Sequence, residues 1–233
     1  GGITASDIIY KKVLEFKEQT DKKVIVCMQD VAASGAYYIS AAADKIISHP
    51  TTITGSIGVI MPLINIANLA EKYGIQDNSI KSGDMKSIGS PLKKMSDAER
   101  KVLYDIVDEM YTRFINIIAA GRDMELEDVR KLSDGRIYTG VQALENGLVD
   151  QLGYIEDAIT LAKDITGLNE AKVIKYKRAF NLAEIFEGSM GNLLGDRTIK
   201  FSLQASAGYD FPGFMYLWTG YQQNNLFKWP AFN

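Results

Sequence analysis

Residues 24–43, VIVCMQDVAASGAYYISAAA, decide how this chain is read. Val24 to Met28 is a short apolar run rich in β-branched residues, the pattern of a strand buried on both faces of a mostly parallel sheet. The character then changes abruptly: Ala32, Ala33, Ser34, Gly35 and Ala36 are five small residues in succession, and Tyr37 to Ala43 can pack as a buried helix. The expected order is strand, tight turn, helix, with Ser34 at or near the helix N-terminus. Unpaired backbone N–H groups there favour developing negative charge, and small neighbours let a substrate backbone approach closely. A serine so placed is either a nucleophile or an ordinary helix cap, and this stretch alone leaves both readings open.

Composition narrows the alternatives. With 233 residues, 46% of them hydrophobic and 24% charged, the chain can bury one good core with at most a small appendage. The formal charge of -3 and the scattered basic residues give no electrostatic footprint for nucleic acid. The single cysteine, Cys27, excludes an internal disulfide framework and a cysteine-based zinc site, and inside a strand it reads as a small core residue. The single histidine, His49, precedes Pro50 and reads as the structural end of a strand. A Ser-His-Asp triad or a multi-histidine metal site needs a histidine at the site, so a nucleophilic Ser34 calls for another base, and lysine is the known alternative. No metal and no cofactor are expected.

Before the central stretch, Thr4 and Asp7 suggest a weak capping box, and Ile8, Ile9, Val13 and Phe16 recur at helical spacing to about Gln19. After it, 44–48 and 52–61 are β-rich, the second run interrupted by Gly55 and Gly58, as at a bulge or a close backbone approach. A short helix over 64–73 ends at Gly74, and a strand is expected near 78–81. The polar loop 82–94 follows. Ser96 and Glu99 then form a capping box that opens the longest helix, with Val102, Ile106, Met110, Phe114 and Ile117 as its buried face as far as Gly121. Helices over 125–132, 139–146 and 154–166 and a last strand over 172–176 complete an alternation that argues for an α/β domain with right-handed crossovers.

The expected division is a domain over 1–177 and a C-terminal part over 178–233. In the latter, Leu182, Ile185, Phe186, Met190, Leu193 and Leu194 suggest an amphipathic helix, followed by a tail dense in Tyr, Phe and Trp. Such a tail is expected to dock on its own core, on a neighbouring subunit or on a membrane surface, with docking on protein the simpler reading. No apolar run reaches the roughly 18 residues of a membrane span. Gly1-Gly2 leading at once into a helix reads as a fragment whose leading strands and membrane anchor are absent.

Taken together, DVAASGAYYISAAADKI, TITGSIGVI, KSGDMKSIGSP and DGRIYTGVQALENGLVDQLG, in that order and spacing over about residues 1–176, resemble the bacterial signal peptide peptidase A family. The resemblance implies a ClpP/crotonase-like fold, a repeated β-β-α superhelix with helical additions, and a serine endopeptidase with a Ser/Lys dyad. By position in the family motifs, Ser34 falls on the nucleophile, Lys86 on the general base and Ser56 on the serine that orients the lysine ammonium. The backbone N–H groups of Gly1 and Gly35 fall on the oxyanion hole. The family glycine after the A-S-G motif is Ala36 here. To take the serine proton Lys86 must be neutral, a state that burial away from water favours, with Asp84 turned outward.

The implied substrates are released signal peptides and other apolar membrane-associated peptides. Ile57, Gly58, Val59, Ile60 and Met61 are expected to wall a groove for an added strand. The implied partners are further copies of the chain, in a dome-shaped octamer whose sites combine neighbouring subunits, so Lys86 of one copy serves Ser34 of another. The implied location is the extracytoplasmic face of the bacterial cytoplasmic membrane. A membrane-protein or capsid-maturation protease shares these motifs, and a non-catalytic chamber-forming scaffold keeps the same fold.

Overall fold

The computed structural model describes residues 1–176. The chain opens with α1 (Ile3–Thr20), followed by β1 (Ile25–Met28), β2 (Val31–Ala33) and α2 (Gly35–Ser40). Next come β3 (Lys45–Ser48), β4 (Ile53–Gly55), α3 (Ala67–Lys72) and a 3-10 turn over Asp84–Ser87. The long α4 (Asp97–Arg122) leads into α5 (Leu126–Leu132), β5 (Ile137–Thr139), α6 (Gly140–Glu145), β6 (Gln151–Leu152) and α7 (Ile155–Thr166).

The strands form two small sheets in a mixed α/β arrangement. One is all parallel in the order β1-β3-β6, with Ile25 opposite Lys45 and Ile47 opposite Gln151. The other runs β2-β4-β5, with β2 and β4 parallel and β5 antiparallel. The first four strands thus alternate between the sheets: β1 and β3 in one, β2 and β4 in the other. The expected direct passage from strand to helix is therefore corrected. After Met28 the chain bends at Gln29-Asp30, and Ala32 and Ala33 belong to a second strand rather than to a turn. β1 is also less buried than expected, with only Met28 fully enclosed, because it lies at the edge of its sheet.

The core gathers Tyr37 and Tyr38 of α2, Ile46 of β3, Ile57, and Phe114, Ile115 and Ile118 of α4, none of them exposed. Buried tyrosines need partners for their hydroxyls. Tyr37 donates to the Leu148 carbonyl at 2.7 Å and Tyr38 to Asp7 at 2.5 Å. The Tyr38 ring packs on Tyr10 and Phe114 with centroids 5.5 and 5.0 Å apart, contacts worth about 0.5–1.5 kcal/mol each. These contacts tie α2 to α1 and α4.

The capping box at Ser96 forms as expected, Ser96 Oγ accepting from the Glu99 N–H while the Glu99 carboxylate accepts from the Ser96 N–H. The buried apolar residues of α4 lie in its C-terminal half. Val102 is 42% exposed, although Glu99 in the first turn is buried against Lys93 and Ser96. His49 has the expected structural role, its Nδ1 within 2.8 Å of Thr51 Oγ1 and its ring set edge-on to Tyr154.

Several expected elements are corrected. Of 52–61 only Ile53–Gly55 is strand, since the backbone turns sharply at Ser56. Residues 78–81 and 172–176 are irregular and exposed, with no neighbouring strand to complete a ladder. The first helix is capped by Gly2, which has no side chain to bond, so Thr4 lies inside the helix and the expected box with Asp7, which accepts from Tyr38, does not form. The amphipathic segment 182–194 and the aromatic tail lie outside the described residues.

Candidate functional site

Ser34 and Ser56 occupy equivalent places. Ala33 and Gly55 are register partners at the ends of β2 and β4, and each serine is the next residue. Neighbouring strands lie about 4.8 Å apart, so the pairing brings the two serines side by side. The Ser34 N–H donates to the Gly55 carbonyl at 2.7 Å, and the Ser56 N–H to the Arg136 carbonyl at 2.7 Å. Both have positive φ, 59° and 50°, which non-glycine residues adopt only against a steric penalty.

For Ser34 that φ combines with ψ of -117°, on a sharp strand-to-helix turn like those that present nucleophilic serines in other hydrolases. Ser34 is 1% exposed, and its Oγ has no hydrogen-bond partner among the described residues. A buried unpaired hydroxyl costs about 1–3 kcal/mol. As a side-chain cap Ser34 Oγ would accept a backbone bond from α2, and it accepts none. Ser34 thus holds the N-cap position of α2 with its backbone carbonyl, which accepts from Tyr38 at 2.9 Å, and not with its hydroxyl. Gly55 is the residue that permits this arrangement: its φ is 78°, and a Cβ there would lie 2.5 Å from the Tyr138 ring.

Gly1 and Ser6 meet Gly35 on the other side of the turn. A Cβ on Gly35 would sit 2.5 Å from Ser6 Oγ, 3.3 Å from Gly1 Cα and 3.4 Å from Gly1 N, so only glycine allows the two backbones this close. Gly35 is the first residue of α2, and its N–H has no acceptor within the helix. The site predicted at Gly1, Ser34, Gly35 and Ser56 is thus gathered within one chain.

Lys86 is not brought in with them. It lies on the exposed 3-10 turn, and its side chain makes no hydrogen bond or ion pair among the described residues. The burial its expected role requires is not supplied among the described residues. Asp84 on the same turn is exposed, as expected. The adjacent Ser87 carries the second buried hydroxyl without a partner.

The predicted groove residues separate. Ile57 is completely buried in the core, since the alternation of side chains past Ser56 turns it inward. Gly58, Val59 and Ile60 line an open groove of about 410 Å³ that begins at Ser56. Its opposite wall is Tyr104, Val107, Asp108 and Tyr111 of α4, with Ser133, Asp134 and Gly135 at one end. Met61 lines an adjoining groove of about 580 Å³ that shares Tyr104 and Val107. The α4 wall was not legible in the sequence. The only signal was that Tyr104, Val107 and Tyr111 recur at helical spacing beside the predicted buried face of α4.

Charges near the site are compensated. At Asp7 burial acts to raise the carboxyl pKa, but the hydrogen bonds from Tyr38 and Arg113 outweigh it and hold the group below its usual range. Asp134, at the groove, is held down to about 2 by its hydrogen bonds from Arg136. Among the described residues no group of three or more His, Cys, Asp or Glu side chains is placed to hold a metal ion. No helix of the described residues is long and apolar enough to cross a membrane.

The model of peptidase family S49 matches residues 16–169, a span that includes Ser34, Ser56 and Lys86. The chain belongs to this family. The S49 chain is 47% identical over 177 residues to a putative signal peptide peptidase SppA of Enterococcus faecium, covering 76% of this chain and 51% of that protein. It is 40% identical over 173 residues to a putative protease of Synechocystis sp., covering 74% and 62% respectively. With the chloroplastic serine protease SPPA of Arabidopsis thaliana the identity is 31% over 206 residues, covering 86% of this chain and 30% of that protein. The S49 chain therefore spans less than two thirds of the length of these relatives. Gly1 and Ser6 precede the matched residues, so their place beside Gly35 rests on the structure alone.

Proposed function

We propose that this chain is a serine peptidase domain that cleaves extended apolar peptides through an acyl-enzyme at Ser34. The observation that carries the proposal is the buried, unpartnered Ser34 Oγ on a strained turn, flanked by Ser56 and by the Gly1 and Gly35 backbones. In this reading Ser34 Oγ attacks the scissile carbonyl carbon, and its proton passes to a neutral Lys86 Nζ. The tetrahedral oxyanion is stabilised by the Gly1 and Gly35 N–H groups, which are worth most in a site shielded from water. Lys86 then protonates the departing amine, and water releases the acyl group with Lys86 again taking and returning the proton.

The exposure of Lys86 supports its delivery to the Ser34 of a neighbouring copy, where Ser56 orients the ammonium. The many exposed apolar side chains between Ile60 and Met85 support burial of that segment in a homo-oligomer, which we propose is the dome-shaped octamer, on a ClpP/crotonase-like superhelix. Substrate backbone would lie along Gly58 to Ile60 opposite α4, with released signal peptides and other apolar membrane-associated peptides as the substrate class. The extracytoplasmic face of the membrane is the proposed location.

The test is hydrolysis of a fluorogenic apolar peptide by the wild type, Ser34→Ala and Lys86→Ala, with the two inactive variants also mixed after dissociation and reassembly. The expected result is loss of activity in each variant and partial recovery in the mixture, where some sites combine an intact Ser34 with an intact Lys86. Full activity in Ser34→Ala would overturn the nucleophile assignment. Loss in both variants without recovery on mixing would overturn the inter-subunit dyad.

A further inference from the structure

Ser6 is among the most deeply buried polar residues near the site, at 4% exposed, yet it caps no helix and joins no ion pair. Its Oγ donates to the Gly2 carbonyl at 3.0 Å, and its N–H donates to the same oxygen at 3.0 Å. The Gly2 carbonyl is thus held twice from one residue, a constraint on the Gly2–Ile3 peptide plane, one residue beyond Gly1, where α1 begins. The same Oγ lies 2.5 Å from where a Gly35 Cβ would stand and 3.3 Å from where a Gly1 Cβ would stand. It is the atom packed between the two backbones that carry the candidate oxyanion donors. Asp7, the next residue, accepts from Tyr38 on α2 and from Arg113 on α4, so this turn of α1 is clamped to the helix that follows Ser34.

We propose that Ser6 is a positioning residue that sets the spacing and direction of the Gly1 and Gly35 N–H groups toward the oxyanion. This rests on the reading of Ser34 as the nucleophile. Without the hydroxyl the Gly2 carbonyl keeps only its backbone bond and a void opens against Gly35, so the two donors are free to separate. Oxyanion donors act only on the charge that develops in the transition state, so the loss falls on kcat and not on KM. Displacements of this size in a preorganised site reduce rates by about ten- to a hundredfold.

The experiment compares wild type, Ser6→Ala, Ser6→Thr and Ser40→Ala, each as the full chain. Ser40 is an equally buried serine whose hydroxyl bonds back to the Ala36 carbonyl at 2.8 Å without touching Gly1 or Gly35. For each protein the readouts are kcat and KM on an apolar peptide, affinity for a peptide boronate that forms a tetrahedral adduct with serine, and the rate of fluorophosphonate attachment to Ser34. Ser6→Ala is expected to lower kcat and boronate affinity by the same factor, about tenfold or more, with KM within twofold. Ser6→Thr, which keeps the hydroxyl, recovers most of both, and Ser40→Ala loses comparable stability but keeps kcat. A kcat for Ser6→Ala within twofold of wild type, or a fall matched by Ser40→Ala, overturns the proposal while leaving Ser34 as nucleophile. If fluorophosphonate fails to label Ser34 in the wild type, the nucleophile reading falls and this proposal falls with it.

Discussion

Gly121→Ala sets two physical effects against each other on the helix that supports the site. Gly121 lies in the last turn of α4, where alanine is intrinsically favoured over glycine by about 0.8–1 kcal/mol. A Cβ at this position, however, would stand 2.2 Å from the Ala41 carbonyl oxygen, 3.1 Å from its carbon and 3.2 Å from its Cβ. The obstacle is backbone, just past the end of α2, so no side-chain rotation relieves it. Restoring an ordinary carbon-oxygen contact of about 3.3 Å requires the two segments to part by roughly 1 Å. Overpacking of this kind costs about 1–3 kcal/mol, and a backbone clash belongs at the upper end of that range. The net expectation is a loss of about 2 kcal/mol, or about 4–8 °C in Tm for a chain of this length. Differential scanning calorimetry measures it directly. A Tm equal to or above that of the wild type would mean that helix propensity prevails, and would refute the close packing of α4 on α2.

The remaining predictions concern the site and its charges. Ser34→Ala should raise stability by about 1–3 kcal/mol in chemical denaturation while peptidase activity is lost, because it removes a buried hydroxyl without a partner; a destabilised Ser34→Ala would show that the hydroxyl is paired after all. Asp150→Ala should lower stability by about 3 kcal/mol, since it strands the Arg122 guanidinium, 8% exposed, and unties the Ile46 N–H and Lys45 from the same carboxylate; a loss below 1 kcal/mol would refute the role of this cluster. Stability should also fall on acidification. At Asp150 and Asp44 burial works to raise the pKa, but hydrogen bonds from Arg122 and Ile46 at the first, and from Val24 and Lys17 at the second, bring the net shift downward. Their stabilisation is present above the unfolded carboxylate value of about 4 and is lost as pH falls through the lower folded values. The Asp150→Ala, Asp44→Ala double variant should therefore show a shallower acid transition by circular dichroism, and an unchanged slope would refute the assignment.

Local chemistry was legible where it was strong. The capping box at Ser96 and Glu99, the stop at Gly74, and the apolar run Ile25 to Met28 are each decided by neighbours within a turn or two of chain. β5 and β6, three and two residues long, escaped notice because so short a stretch carries no alternation. The strands expected at 78–81 and 172–176 show the converse failure: a β-rich composition makes no strand without a partner to complete its hydrogen bonds.

The sequence by itself determined that Ser34 stands among small residues beside a buried helix, and that with one histidine in the chain a nucleophile here needs a different base. Family membership was legible for the same reason, since motifs are strings of adjacent residues. Only the tertiary structure decided that Ser34 follows a second strand, that the Ala33 to Gly55 register sets Ser56 beside it, and that Gly1, Ser6 and Gly35 meet across the turn. It also turned Ile57 into the core, supplied α4 as the facing wall of the groove, and left Lys86 exposed. These are contacts between segments far apart in the chain. They are set by strand register and by which backbones pack closely, and neither is encoded in any local run of residues.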